Sequence, residues 1–151
     1  MAKEYEDIET DYAHIDAICM WMVKNPDAYD VIVTTNQFGD ILTDEGAGLV
    51  GGLGLAPGLC VGANNAMAQA THGSAPDIAG KNIANPYAMI MSGQMLFEWL
   101  GRKRNDAKAA KAAQLIDQAV DKVIAEAKHL TGDLGGKAST SQMGDAIAAA
   151  I

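Results

Sequence analysis

Residues 29–44 read YDVIVTTNQFGDILTD, and this stretch constrains the fold more than any other part of the chain. Val31–Val33 is a short apolar, β-branched run between polar residues, which is typical of a parallel strand covered on both faces. Asn36, Gln37 and Gly39 follow, and these residue types favour a turn. The stretch therefore predicts a buried strand, a polar turn and a helix that carries acidic residues near its start.

Asp40 and Asp44 are four residues apart in that helix. Helical geometry places such a pair on one face, about 6 Å apart, where two like charges repel each other. One explanation is that both carboxylates interact favourably with the helix dipole, which is worth about 0.3–1 kcal/mol each. The other is a site for a divalent cation, because Mg²⁺ binds carboxylate oxygens and open α/β sheets place ligands where strands end. The spacing alone leaves both explanations open.

Two longer segments resemble one enzyme family. NQFGDILTDEGAGLVGGLGLAPG resembles the Asn-x-Phe/Tyr-Gly-Asp-Ile-Leu-Ser/Thr-Asp segment of the β-decarboxylating dehydrogenases, which include the isocitrate, 3-isopropylmalate, homoisocitrate and tartrate/malate enzymes. HGSAPDIAGKNIANP, residues 72–86, resembles the adenosine-binding loop of that family and follows in the family's order. The resemblance extends over essentially the whole chain but corresponds only to the C-terminal part of a family member.

The resemblance implies an α/β fold like that of isocitrate and isopropylmalate dehydrogenases, with a mostly parallel sheet flanked by helices. We expect residues 1–151 to form a single C-terminal segment of such a domain, with the N-terminal half absent. We also expect the helices at 14–24 and 37–52 to form a dimer interface. Strands are predicted at 8–13 and 66–71, and apolar periodicity predicts three further helices, at 87–100, 107–130 and 142–151.

The resemblance also implies a metal site for Mg²⁺ or Mn²⁺. Its ligands would be Asp40 and Asp44, together with Asp16, which would reach the metal across the dimer interface. From the residues alone, Asp16 is explained as well by a favourable charge in the first turn of the helix at 14–24.

Residues 72–85 are predicted to form a loop, because glycine, proline, serine and asparagine recur there. The resemblance implies that this loop binds the adenosine of NAD. An acidic side chain can accept hydrogen bonds from a ribose 2′-hydroxyl and repels a 2′-phosphate, so Asp77 favours NAD over NADP. The alternative is that Asp77 only stabilises a turn. The implied NAD-binding residues are His72, Gly73, Ser74, Ala75, Asp77, Ile78 and Asn85.

The charge and composition of the chain disfavour binding to nucleic acids or membranes, a membrane span and secretion. The net charge of −8 disfavours binding to nucleic acids or to anionic membranes. No run of about eighteen apolar residues suggests a membrane span, and residues 1–12 do not resemble a signal peptide. Cys19 and Cys60 are too few for a disulfide framework, and each lies in an apolar context, so both are expected to be buried free thiols in a reducing cytoplasm.

The expected function is NAD-dependent oxidative decarboxylation of a small 2-hydroxy acid, with isocitrate as the first candidate substrate and 3-isopropylmalate as the second. The family's arginine cluster and its catalytic tyrosine and lysine lie upstream of the matched segment. The only arginines here are Arg102 and Arg104, in a polar connector. The isolated chain is therefore predicted to be inactive, and to work as a homodimer or with a partner that carries the N-terminal half. The alternative is a non-catalytic assembly or regulatory subunit of a full-length dehydrogenase.

Overall fold

A computed structural model of the protein describes residues 4–151, which divide into two compact units at Leu49 and Val50. The described part contains five α-helices, two β-strands and three short 3₁₀ helices at Pro26–Ala28, Leu53–Leu55 and Gly132–Leu134. The helices and strands, in chain order, are α1 (Ile15–Lys24), α2 (Asn36–Val50), β1 (Leu59–Val61), β2 (Ala66–Ala68), α3 (Tyr87–Arg104), α4 (Ala107–Glu126) and α5 (Thr140–Ala150).

The first unit is built on α1 and nearly all of α2. Both helices lie close to the predicted positions at 14–24 and 37–52, and Ile18 on α1 and Leu42 on α2 are buried. However, α2 begins earlier than expected. Its first backbone hydrogen bond runs from Gly39 N–H to Thr35 O at 2.8 Å, so the residues predicted to form a turn belong to the helix. Threonine is favoured immediately before a helix, so Thr35 is consistent with a helix that begins at Asn36. The turn-forming residues that follow Thr35 made a later start look more favourable.

The predicted strand at Val31–Val33 is wrong for the described structure, and so is the strand at 8–13. Neither segment has a ladder partner among residues 4–151, and a strand requires backbone hydrogen bonds to a neighbour. Val31 and Val33 are 82% and 92% exposed. Val31–Val33 is apolar, as a buried strand would be, but no other segment of residues 4–151 covers Val31 and Val33.

The sheet found in residues 4–151 lies in the second unit. It is antiparallel, so the prediction of a mostly parallel sheet is wrong for this part of the chain. β1 pairs with β2 in the register Leu59 to Ala68 and Val61 to Ala66, and these two strands form the whole sheet in residues 4–151. The strand predicted at 66–71 is thus confirmed in its first half. A side chain at Gly58, just before β1, would bring its Cβ within 2.6 Å of the Gln69 carbonyl oxygen, so this crossing requires glycine.

Two helices of the second unit, α4 and α5, begin at residues whose side chains cap them. Asp106 caps α4, because its carboxylate accepts hydrogen bonds from the backbone N–H groups of Lys108 and Ala109 at 2.9 and 3.2 Å. Ser139 and Gln142 form a reciprocal capping box at the start of α5. All three helices predicted in this region are confirmed, with ends that differ by up to four residues.

The core of the second unit lies between α4 and α5, with α3 packed alongside. Val120, Met143 and Ile147 are almost fully buried there, together with Ala119 and Val123. This packing fixes α5, and with it the turn at 132–138, against α4. Within residues 4–151, no helix is both long and apolar enough to cross a membrane.

Candidate nucleotide and metal sites

A cavity of about 1200 Å³ lies in the second unit, between the loop 72–85 and the segments that pack against it. Its volume exceeds that of most small-ligand pockets, so a nucleoside with additional groups fits inside it. Three segments besides the loop contribute to its walls: the 3₁₀ helix at Leu53–Leu55, the turn 132–138 and the start of α5. The lining residues are Leu53, Gly54, His72, Gly73, Ser74, Ala75, Ile78, Ala79, Gly80, Asn82, Ile83, Ala84, Asn85, Gly132, Asp133, Lys137, Ala138 and Thr140.

Six of the seven residues predicted to bind NAD line this cavity, and Asp77 is the exception. Asp77 is exposed and lies outside the lining set, beside Ile78, which belongs to it. Asp77 is therefore at the rim of the cavity, next to a lining residue. The role of Asp77 in choosing between NAD and NADP stays a prediction.

The loop has a left-handed backbone at two residues that are not glycine. Ala75 has a φ of 42° and Asn82 a φ of 54°. Asparagine tolerates this region, but alanine adopts it only at a cost in free energy, and such residues concentrate at ligand-binding sites. The loop is thus held in one specific conformation rather than in the most relaxed one.

The start of α5 holds the far end of the loop. The Asn82 carbonyl oxygen accepts a hydrogen bond from Thr140 N–H at 2.9 Å. The Asn82 side-chain oxygen accepts from both the N–H and the hydroxyl of Ser141, at 3.1 and 3.0 Å. The hydroxyl of Thr140 donates to the Ala84 carbonyl oxygen. Because α5 is anchored in the core, these contacts place the loop at a fixed distance from it.

Asn85 closes the loop and is only 8% exposed. Its side-chain oxygen accepts a hydrogen bond from Tyr87 N–H, at the start of α3, and its side-chain nitrogen donates to Asp133 Oδ2, both at 2.9 Å. Cavity residues at 53–54 and 132–140 were not predicted as ligand contacts. The contact between Asn85 and Asp133 spans 48 positions and gives no local signal in the sequence.

The three predicted metal ligands lie on the helices of the first unit. Asp40 and Asp44 are exposed on α2, where they follow each other at one helical turn, and Asp16 is exposed in the first turn of α1. Since α2 begins at Asn36, Asp40 and Asp44 lie beyond its first turn, where the interaction with the helix dipole has largely fallen off. The helix dipole therefore explains the positions of Asp40 and Asp44 less well, whereas it still explains the position of Asp16.

Within residues 4–151, no group of three or more histidine, cysteine, aspartate or glutamate side chains is close enough to hold a metal ion. Neither Asp40 nor Asp44 forms a salt bridge in this part of the chain. The pair therefore offers carboxylate oxygens, the ligand type that Mg²⁺ and Mn²⁺ prefer, without a protein cation that would neutralise them. A site built on this pair needs ligands from elsewhere.

A thiol and a carboxylate meet between α1 and α2. A hydrogen bond to Glu45, with smaller contributions from desolvation and from the charge of Glu45, raises the pKa of the Cys19 thiol. Cys19 is only partly buried and Cys60 is exposed, so the expectation that both thiols are buried is met in part for Cys19 and is wrong for Cys60. Cys60 lies in the middle of β1.

The family model and the relatives that match this chain all belong to one group of dehydrogenases. The family model described as isocitrate/isopropylmalate dehydrogenase matches residues 1–147. The chain is 48% identical over 149 residues to a 3-isopropylmalate dehydrogenase of Methanothermobacter thermautotrophicus, covering 98% of this chain and 43% of that protein. It is 42% identical to a probable NAD isocitrate dehydrogenase subunit alpha of Drosophila melanogaster, covering all of this chain and 38% of that protein.

The fold matches a solved structure equally well. The crystal structure of an isocitrate dehydrogenase from Methylococcus capsulatus superposes with a TM-score of 0.90 at 49% identity, covering 99% of this chain and 42% of that one. The predicted α/β fold of this type is thereby confirmed. The chain spans about two fifths of the length of the relatives that it matches.

Proposed function

Because the chain belongs to the isocitrate/isopropylmalate dehydrogenase family, we propose that it supplies the NAD-adenosine site and the metal ligands for oxidative decarboxylation of a small 2-hydroxy acid. Isocitrate is the first candidate substrate and 3-isopropylmalate the second, and relatives with each of these activities in their names match at similar identity. The chain would correspond to the C-terminal segment of such an enzyme.

The cavity beside the loop 72–85 is the observation that carries this proposal. It has room for a nucleoside, it is lined mainly by apolar and small residues, and a few polar side chains converge in it, as is usual for cofactor sites. Asn85, whose side-chain nitrogen is bonded to Asp133, can supply a hydrogen-bond donor for a base, while the exposed Asp77 at the rim is suited to the ribose. NAD, when bound, accepts the hydride from the substrate.

The metal proposal depends on Asp40 and Asp44, with Asp16 contributed by a second subunit. A bound Mg²⁺ or Mn²⁺ would polarise the hydroxyl and carbonyl oxygens of the substrate. The donor set fits the ion in chemistry, because all three groups are carboxylates and Asp40 and Asp44 are exposed on one helix. This arrangement makes a homodimer, or a complex with a partner that carries the remaining part of the enzyme, part of the proposal.

Binding measurements with the 151-residue protein test the nucleotide site. We expect calorimetry to show NAD binding at least about tenfold tighter than NADP, because the Asp77 carboxylate repels the 2′-phosphate and attracts the 2′-hydroxyl. Asp77→Lys should reverse or abolish that preference. Asp145→Lys makes the same charge change on an exposed position of α5, outside the lining residues, and should leave the preference intact. Equal effects of the two substitutions would contradict the role of Asp77.

We also expect the isolated chain to be inactive. Oxidative decarboxylation requires a cationic clamp for the substrate carboxylates, together with an acid and a base. Arg102 and Arg104 lie at the end of α3, and Arg102 is paired with Glu98 on the same helix. Production of NADH by the pure protein with isocitrate or 3-isopropylmalate, in the presence of Mg²⁺, would overturn this prediction.

The second candidate function is a non-catalytic assembly or regulatory subunit. The observation that favours it is the apolar surface at Val31 and Val33, which a larger complex would cover. A pull-down distinguishes the two proposals. Co-purification with a polypeptide that supplies only the remaining part of a dehydrogenase supports a shared active site, whereas co-purification with a complete dehydrogenase supports the subunit role.

A further inference from the structure

The side-chain amide of Asn85 has a fixed orientation in the ligand-free protein. Tyr87 N–H can only donate, so it must face the oxygen of the amide, and the Asp133 carboxylate can only accept, so it must face the nitrogen. These two contacts leave one hydrogen of the Asn85 nitrogen unused. Asn85 and Asp133 both line the cavity, so that hydrogen is available to a ligand acceptor there.

Asp133 is in turn held from the core. The hydroxyl of Thr131 donates a hydrogen bond to Asp133 Oδ1, while Oδ2 accepts from Asn85. Thr131 is fully buried, and its hydroxyl lies 3.8 Å from the sulfur of Met143, a core residue of α5. The turn that carries Asp133 is closed by Gly136 N–H donating to the Thr131 carbonyl oxygen at 3.0 Å. A continuous set of contacts therefore joins the α4–α5 core to the Asn85 amide.

The pair formed by Asn85 and Asp133 has little room to move on one side. A Cβ atom added to Gly54 would lie 3.3 Å from both Asn85 Cβ and Asp133 Oδ2, which is tighter than an ordinary contact. The 3₁₀ helix that contains Gly54 thus backs the pair directly. Rotating the Asn85 amide away from Asp133 would also break its bond to Tyr87 N–H, at the start of α3.

We propose that Asp133 is a positioning residue, which holds the Asn85 amide so that its free N–H points to an acceptor nitrogen of a bound purine base. This inference rests on the proposed nucleotide site and adds to it the group that orders Asn85. Asp133 acts through Asn85, because its carboxylate orients the amide before a ligand arrives. The ligand class is a purine nucleotide, for which AMP serves as the probe.

Two substitutions at position 133 separate orientation from charge. Asp133→Leu has a similar size but cannot accept a hydrogen bond, so the Asn85 amide becomes free to rotate. In Asp133→Asn, the side-chain oxygen can still accept from Asn85, and its nitrogen can donate to the hydroxyl of Thr131. We expect AMP affinity to fall about tenfold in Asp133→Leu and to stay within about threefold of wild type in Asp133→Asn.

A double-mutant cycle with Asn85→Ala completes the experiment. If Asp133 acts only through Asn85, Asp133→Leu should cause no further loss of AMP affinity in the Asn85→Ala background. The same tenfold loss in both backgrounds, an unchanged affinity in Asp133→Leu, or an equal loss in Asp133→Asn would each overturn the proposal. Urea unfolding of every variant shows whether it is folded, and Asp145→Leu on α5 is the matched control outside the cavity.

A ligand-free measurement keeps the inference testable apart from the proposed function. In ¹⁵N-resolved NMR spectra, the Asn85 amide hydrogen that is bonded to Asp133 should be shifted from its value in a free asparagine side chain and should exchange slowly with water, in the wild type and in Asp133→Asn. In Asp133→Leu this hydrogen should resemble that of a mobile amide. If AMP does not bind to the wild type but the amide behaves in this way, the nucleotide site is wrong and the positioning by Asp133 stands. If the amide is mobile in the wild type, the positioning itself is refuted.

Discussion

Replacing Ser92 with alanine tests how the wall of the cavity is attached to the helical core. Ser92 is fully buried on α3. Its hydroxyl donates to the Ala88 carbonyl oxygen at 2.6 Å and accepts from Gly58 N–H at 3.1 Å. Gly58 lies three residues after the segment 53–55, which forms one wall of the cavity, so this hydroxyl adds a hydrogen bond between that part of the chain and α3.

The expected cost can be worked out from these contacts. In Ser92→Ala, Gly58 N–H loses its acceptor, and a buried donor left without a partner costs about 1–3 kcal/mol. Gly58 is only partly buried, which places the loss in the lower half of that range. The Ala88 carbonyl oxygen keeps its helical backbone hydrogen bond, so its loss is small. Together with the small void, we expect a decrease of about 2 kcal/mol in the free energy of unfolding.

Urea unfolding monitored by circular dichroism measures this change. With a slope of about 1–3 kcal/mol per molar urea, the midpoint should fall by about 1 M. Ser141→Ala is the matched control, because it removes an exposed hydroxyl on α5 while the Ser141 N–H keeps its bond to Asn82. The control should change the free energy of unfolding by less than about 0.5 kcal/mol. If the two variants are equally stable, the reasoning about Ser92 is refuted.

Two further predictions concern the first unit. Asp40→Asn should weaken Mn²⁺ binding, measured by calorimetry, by about tenfold or more, because it removes one of two adjacent anionic ligands. Asp117→Asn on the exposed face of α4 should not, and equal binding by both variants and the wild type would remove the metal assignment. The raised pKa of Cys19 means less thiolate at a given pH, so in a Cys60→Ser background Glu45→Gln should lower that pKa and speed alkylation by iodoacetamide near pH 8. Identical rates and identical pH profiles would show that Glu45 does not control this thiol.

The apolar periodicity of the sequence was enough to predict α1, α3 and α4 to within a few residues at each end. Helices depend on contacts three and four residues apart, so the pattern that defines them is local. The loop 72–85 was predicted on equally local grounds, because its glycines, proline and asparagines disfavour regular structure. Its match to the dehydrogenases then indicated the ligand class.

The strands were less predictable, because strand formation depends on a partner that is distant in sequence. Val31–Val33 has the composition of a buried strand but lacks a ladder partner in residues 4–151. Leu59–Val61 lies after a glycine-rich segment and was not predicted, yet it forms β1 because Ala66–Ala68 lies beside it. Composition reports what a segment can bury, and only the tertiary structure decides whether anything covers it.

The residue types of the candidate sites were readable from the sequence, while their arrangement was not. The sequence, through its resemblance to the dehydrogenases, predicted a nucleotide site at the loop and metal ligands among the acidic residues of α2. Only the tertiary structure placed Asp77 at the rim of the cavity and brought Asp133 to Asn85. The physical reason is that the hydrogen bond between Asn85 and Asp133 depends on how α5 packs against α4. The residues next to Asn85 in the sequence do not determine that packing.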